Sequence, residues 1–185
     1  MNFFTIILTA IIMNNSLLLN EDNIMLNASI MQKENKWRIV NDGVMGGLSS
    51  SKAIVNDDNK IIFSGNVSLE NNGGFASLRS AVKDYNFENF SGLEIKIKGD
   101  GKRYSISMKE TTYFSGYFYT SIFEAKKDEW VTIKIPFDQL KLYYFGKDAK
   151  SNKKLPLNNI KEISLSIGDK QEGNFITEID YIKLY

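Results

Sequence analysis

From Trp37 onward, apolar and polar residues alternate over short runs broken by turn residues, the period of two that marks strands with one buried face. In IIFSGNVSL, Ile61, Phe63, Val67 and Leu69 fall on one face while Ser64, Asn66 and Ser68 fall on the other. LEIKIK turns Leu93, Ile95 and Ile97 inward and Glu94, Lys96 and Lys98 outward. GDGK then predicts a tight turn into RYSISMKE, where Tyr104, Ile106 and Met108 resume the inward set, so these two runs are expected to form a hairpin. YFYTSIF, WVTIKIPF, ISLSI and FITEIDYIKLY have strand length and are rich in β-branched and aromatic residues, giving about nine or ten strands in all. Pro136 lacks the N–H a ladder needs and is expected to end its strand, leaving FDQLKLYYFG at most a helical turn. The predicted fold is all-β, a jelly-roll sandwich of two antiparallel sheets.

The 185 residues are enough for one domain with its own core. Positive and negative side chains nearly cancel, at 23 against 22, so no single-sign field exists to steer a polyanion and no nucleic-acid partner is expected. The basic run GKDAKSNKK at 146–154 reads as a solvated loop. Histidine and cysteine are both absent, which excludes Ser-His-Asp triads, thiol nucleophiles and zinc held by imidazole or thiolate. In a jelly-roll binding module Asp180 or Glu178 could serve a structural calcium, but no EF-hand spacing accompanies them. No metal ligand, cofactor or catalytic residue is assigned. Residues 3–13, FFTIILTAIIM, have the length of a signal-peptide apolar region and fall short of the roughly twenty residues that span a bilayer. The expected organisation is a leader and linker at 1–30 and a single domain at 31–185, with extracytoplasmic placement.

Three features could form a site. In NDGVMGG, at 41–47, Asn and Asp can bond their own backbone and Gly supplies positive φ, which predicts a turn after the first strand. Met45 is expected to plug the core, and the pairs Gly46–Gly47 and Gly73–Gly74 to let one backbone pass close to another or to form a bulge. Arg79 shares a strand face with Phe75, Ser77 and Ala81 and should seek a carboxylate such as Asp42 or Asp100, either as a structural ion pair or as part of a recognition surface on a concave sheet. Finally, Tyr113, Phe114, Tyr117, Phe118, Tyr119 and Phe123, with Tyr143, Tyr144 and Phe145, are more aromatic rings than one inward face can hide. Some should be exposed, as at protein interfaces and sugar-stacking platforms.

WRIVNDGVMGGLSSS, FSGNVSLENNGGFASLRS, GLEIKIKGDGKRY, DEWVTIKIPF and IGDKQEGNFITEIDYI, taken together and in this order, resemble the complex I intermediate-associated protein family. These are the thirty-kilodalton assembly factors of mitochondrial NADH:ubiquinone oxidoreductase and their bacterial relatives, and the likeness runs from about Trp37 to Tyr185. The family pattern falls on Trp37, Asn41, Asp42, Met45, Gly46, Gly47 and Ser49, then on Gly73, Gly74, Phe75, Ser77 and Arg79. It continues on Gly99, Asp100, Gly101, Tyr104, Trp130, Pro136, Asp169 and Asp180. The resemblance implies a galactose-binding-like sandwich, related in shape to carbohydrate-binding modules, with no catalytic residues. It implies a non-catalytic module that binds a protein client such as a membrane-complex subunit. Asp42, Arg79 and Asp100, with Tyr117 and Tyr119 of the aromatic cluster, are the candidate binding residues. The alternative is an exported carbohydrate-binding module whose ligand is a glycan. The N-terminal segment lacks the Arg-rich composition of a mitochondrial import sequence, and cytoplasmic placement on a membrane through a protein partner is the alternative location.

Overall fold

The computed structural model describes residues 23–33 and 36–185. In chain order the elements are β1 (Ile24–Leu26), α1 (Ala28–Met31), β2 (Trp37–Asn41), β3 (Ser50–Val55), β4 (Ile61–Val67), β5 (Ala76–Ser80), β6 (Gly92–Lys98), β7 (Arg103–Lys109), β8 (Tyr117–Glu124), β9 (Trp130–Pro136), β10 (Lys141–Tyr144), β11 (Lys147–Asp148), β12 (Glu162–Ile167) and β13 (Gly173–Leu184). One antiparallel sheet runs β3-β4-β13-β6-β9, with β1 paired to the C-terminal part of β13. The other runs β11-β10-β8-β7-β12-β5-β2. The inward sets predicted from alternation meet between the two sheets. Ile61, Phe63, Leu93, Ile95 and Ile97 come from the first sheet and Leu78, Tyr104, Ile106, Met108 and Leu165 from the second, all fully buried. Each such side chain contributes about 1.5–3 kcal/mol on leaving water, which makes this interface the main stabilising layer. Phe63 and Phe175 pack edge to face at 5.0 Å.

The expected hairpin does not form. β6 pairs with β13 and β9, whereas β7 pairs with β12 and β8, so the GDGK turn carries the chain from one sheet to the other. Asp100 clamps this corner: its carboxylate accepts from Lys102 N and the Tyr104 hydroxyl on one side and from Ile176 N of β13 on the other. Burial, with the Asp100 charge beside it, pushes the Tyr104 hydroxyl well above its usual pKa. A Cβ on Gly99 would lie 2.6 Å from Ala125 O, and Gly101 has φ +85°, so both glycines are required by the crossing.

Other differences are smaller. The described strands number thirteen, because alternation over three or four residues is too short to stand out in β1 and β10. Lys141–Tyr144 is one of these: it pairs with β8, and only Phe137–Gln139 makes the helical turn expected after Pro136. Leu69 lies past the end of β4 and is partly exposed. Glu94 does face outward but is covered, held by the Tyr181 hydroxyl and Lys183. Leu26 of β1 is fully buried and Trp37 Nε1 donates to Met25 O at 3.0 Å, so folded structure is present ahead of residue 31. The apolar run 3–13 lies outside the described residues. Among the described residues no helix is long and apolar enough to cross a membrane.

Candidate functional site

The NDGVMGG stretch surrounds one carboxylate. β2 ends at Asn41, and a 3-10 turn over Asp42–Met45 reverses the chain, closed by Gly46 at φ +87°. This buries Asp42, which is 1% exposed. Oδ1 accepts from Ser49 N at 2.9 Å, and Oδ2 accepts from Ser49 Oγ at 2.5 Å, Gly74 N at 2.6 Å and Phe75 N at 3.2 Å. Burial alone would raise the carboxyl pKa, but the donors from Ser49, Gly74 and Phe75 outweigh it and hold Asp42 below the usual carboxylate value. The glycine pairs serve the same group. A Cβ on Gly47 would lie 2.5 Å from Asp42 Oδ1, and one on Gly73 would lie 2.6 Å from Oδ2. Gly74 has φ +130° and presents its N–H to the carboxylate. Met45 does not plug the core: the turn places it on the surface, 56% exposed, and Asp42 takes the interior position. Asp42 is thus a lock between β2, β3 and β5, holding four donors on its two oxygens.

Arg79 meets neither Asp42 nor Asp100. Its partner is Glu162 at 3.6 Å, because β5 pairs with β12 and sets Arg79 opposite Ser164, one diagonal from Glu162. Residues alternating with the core set form the outer face of the second sheet: Arg38 on β2, Ser77 and Arg79 on β5, Glu162 and Ser164 on β12, Ser107 and Lys109 on β7, Phe118 and Thr120 on β8. Glu162 also binds Arg38, and Lys109 at 3.4 Å. Arg79 Nε donates to Ser77 Oγ at 2.9 Å, and its guanidinium lies 5.9 Å from the Phe75 ring centroid. Burial lowers the Arg79 pKa, Glu162 opposes that, and Arg38 adds to the depression. Sequence reasoning missed Glu162, Lys109 and Arg38. Their only signal is the polar phase of EISLSI, RYSISMK and WRIVN, which says that they face away from the core and not that they meet.

The aromatic residues divide by position along the strands: Tyr117 and Tyr144 share the inward phase of Tyr119 and Leu142 but lie one step nearer the strand ends and are exposed. Tyr117 lies opposite Tyr144 across β8 and β10, with rings 4.6 Å apart, and Phe145 packs against Tyr144 at 4.7 Å and Phe114 at 5.6 Å. Gly116 permits this, since a Cβ there would lie 2.6 Å from the Phe145 ring. Phe114, Tyr117, Tyr144 and Phe145 form a contiguous aromatic surface at one end of the sheet, 45–62% exposed, and Tyr113, next to Phe114 in the chain, is also exposed. Tyr119 is not part of it. It sits between Met108 and Leu142 on the inward phase and is 1% exposed, and its hydroxyl makes no hydrogen bond among the described residues. Burial first of all raises its pKa.

Trp37 is buried, whereas Trp130 lies on the outer face of the first sheet with Lys60, Lys96 and Lys98 within 5.5–6.0 Å of its ring. Asp180, weighed above as a calcium ligand, pairs with Lys60 at 2.6 Å and Lys96 at 2.9 Å; burial would raise its pKa, but the two lysines bring it below the usual value. Glu178 pairs with Lys98. Among the described residues no three acidic side chains converge on a metal-sized site.

With this geometry in hand, the comparisons with known proteins can be placed. Residues 27–179 match the sequence model of the family described as Complex I intermediate-associated protein 30. The mitochondrial Complex I intermediate-associated protein 30 of Mus musculus is 23% identical over 170 residues, which cover 81% of this chain and 52% of that protein. The probable counterpart of Caenorhabditis elegans, also named as mitochondrial, is 26% identical over 186 residues, covering 90% of this chain and 55% of that protein. The chain therefore spans about half the length of the curated relatives it matches. Among solved structures, a family 11 carbohydrate-binding module of a cellulosomal cellulase of Clostridium thermocellum superposes with a TM-score of 0.62 at 20% identity, over 88% of this chain and 93% of that module. That likeness is one of fold, the two-sheet jelly roll.

Proposed function

The chain belongs to the Complex I intermediate-associated protein 30 family, and from that premise we propose that it is a non-catalytic protein-binding module that holds a partly assembled subunit of a membrane respiratory complex. The observation that carries the reading is the surface formed by Phe114, Tyr117, Tyr144 and Phe145. Large rings already packed on one another lose little entropy on binding and exclude water well, which is why aromatic residues dominate interface hot spots. A client exposing apolar area before its own partner arrives would find a matching surface there. The absence of catalysis is supported by Asp42, whose oxygens are taken up by four donors, and by Glu162, which is held by three cations. The relatives are named as mitochondrial, which favours residence at a respiratory membrane through a protein partner over export.

A photo-crosslinking residue placed at Phe114 or Tyr117 of the full chain, in its native cell, tests this. Recovery of respiratory-complex subunits is expected from these positions and not from Ile54 on the opposite sheet. Capture of no such subunit would sink the proposal. A titration with a broad panel of soluble glycans separates it from the carbohydrate reading, for which Tyr117 alone of the two candidate rings is exposed.

A further inference from the structure

We infer that the outer face of the second sheet binds an acidic segment of the client, whose carboxylates seat on Arg38, Arg79 and Lys109; this rests on the protein-binding reading above. Three adjacent pairings, β2 with β5, β5 with β12 and β12 with β7, bring Arg38, Arg79 and Lys109 to one carboxylate. Three cations on Glu162 leave two positive charges in excess. Three other charged groups close to this face have partners of their own, Arg103 with Asp169, Lys161 with Asp84 and Lys153 with Glu110, while Lys141 on β10 and Glu124 on β8 share the outward phase without an ion pair among the described residues.

Depth orders the cluster in the direction a ligand needs. The Glu162 side chain is 2% exposed, those of Lys109 and Arg79 are 11% and 15%, and that of Arg38 is 47%. The carboxylate lies beneath and the cations lie above it, so a group arriving from solvent meets positive charge first. Donor capacity remains. A carboxylate offers about four acceptor positions, while two guanidiniums and one ammonium carry roughly thirteen N–H bonds. Ser77, Ser107 and Ser164 are small and bond backbone carbonyls or a neighbouring hydroxyl, which makes a low floor between the cations. The side chains come from four neighbouring strands, but their charged heads converge on the one carboxylate, with Arg79 3.6 Å and Lys109 3.4 Å from it, so they form one compact basic patch. The excess positive charge, with planar guanidiniums suited to paired carboxylate oxygens, is complementary to the acidic side chains of a peptide segment.

The test uses the full chain and a labelled peptide alternating serine with three glutamates, followed by fluorescence anisotropy, with a glutamine-for-glutamate peptide as control. The glutamate peptide should bind, weaken as salt rises, and lose at least about tenfold in affinity with Arg79→Gln or Lys109→Gln, the equivalent of one charge-assisted hydrogen bond. Glu162→Gln should tighten binding, because it removes the competing carboxylate; a purely structural cluster would not show that sign. Arg38→Gln, at the half-exposed position, carries the same test where a buried variant fails to fold. Lys150→Ser, in the separate lysine-lined cleft beside Asp138 and Lys141, should change nothing. Equal affinity for the glutamine peptide, an equal loss with Lys150→Ser, or displacement by inorganic phosphate at concentrations comparable with the peptide would overturn the inference. Client crosslinking undiminished in Arg79→Gln would also overturn it while leaving the protein-binding reading intact. Failure of the unmodified chain to capture any client would remove that reading instead.

Discussion

Replacing Asp42 by Asn keeps the shape of the side chain and changes only its hydrogen-bond character. The carboxylate takes one N–H on Oδ1 and three donors on Oδ2. An amide oxygen placed at the Oδ2 position would keep three of these as neutral bonds, but its NH2 would then face Ser49 N–H, donor against donor. The unpaired N–H costs about 1–3 kcal/mol, and the three bonds that lose their charge about 1 kcal/mol each. Part of this is offset by no longer burying a charge, so a net loss of about 3 kcal/mol is expected. In a domain of this size that lowers Tm by roughly 6–12 °C. The lowered pKa sets the pH window: with the folded carboxyl below the unfolded value of about 3.9, its contribution is complete above that value and disappears as pH falls through the folded one. Urea titrations from neutral pH into acid should therefore show a steep acid loss in the wild type that is shallower in Asp42→Asn. A neutral-pH difference below about 1 kcal/mol, or an unchanged acid limb, would refute the lock.

Gly47→Ala should cost about 1–3 kcal/mol by overpacking against Asp42, and the cost should shrink in an Asp42→Ser background, a coupling that a double-mutant cycle reads directly. Tyr119→Phe removes a buried hydroxyl with no partner among the described residues, so denaturant midpoints should stay level or rise by as much as about 1–2 kcal/mol; a clear loss would mean that the hydroxyl is paired. Met45→Ser, on an exposed turn, should leave stability within about 0.5 kcal/mol by thermal melts.

Much of the sandwich is legible along the chain. Alternation assigned Ile61, Phe63, Leu93, Ile95, Ile97, Tyr104, Ile106 and Met108 to the core, because a strand places successive side chains on opposite faces whatever it pairs with. The crowded aromatics announced exposed rings, although Tyr117 and Tyr144 are exposed by their place at the strand ends and not by phase, and the turn at NDG lay where its residues predicted. Periodicity, however, is blind to partners. LEIKIK and RYSISMK look alike whether they join in a hairpin or lie in opposite sheets, and only the β13 and β12 strands competing for their edges settle it. Met45 and Asp42 exchanged their expected places because four hydrogen bonds from residues of two distant segments outweigh the burial of one flexible apolar chain. Glu162 became the partner of Arg79 through strand order alone. The amino-acid pattern thus decides which face each side chain takes, a local property of extended backbone. Which charges and rings become neighbours depends on contacts across long stretches of chain, and these exist only once the two sheets have closed on each other.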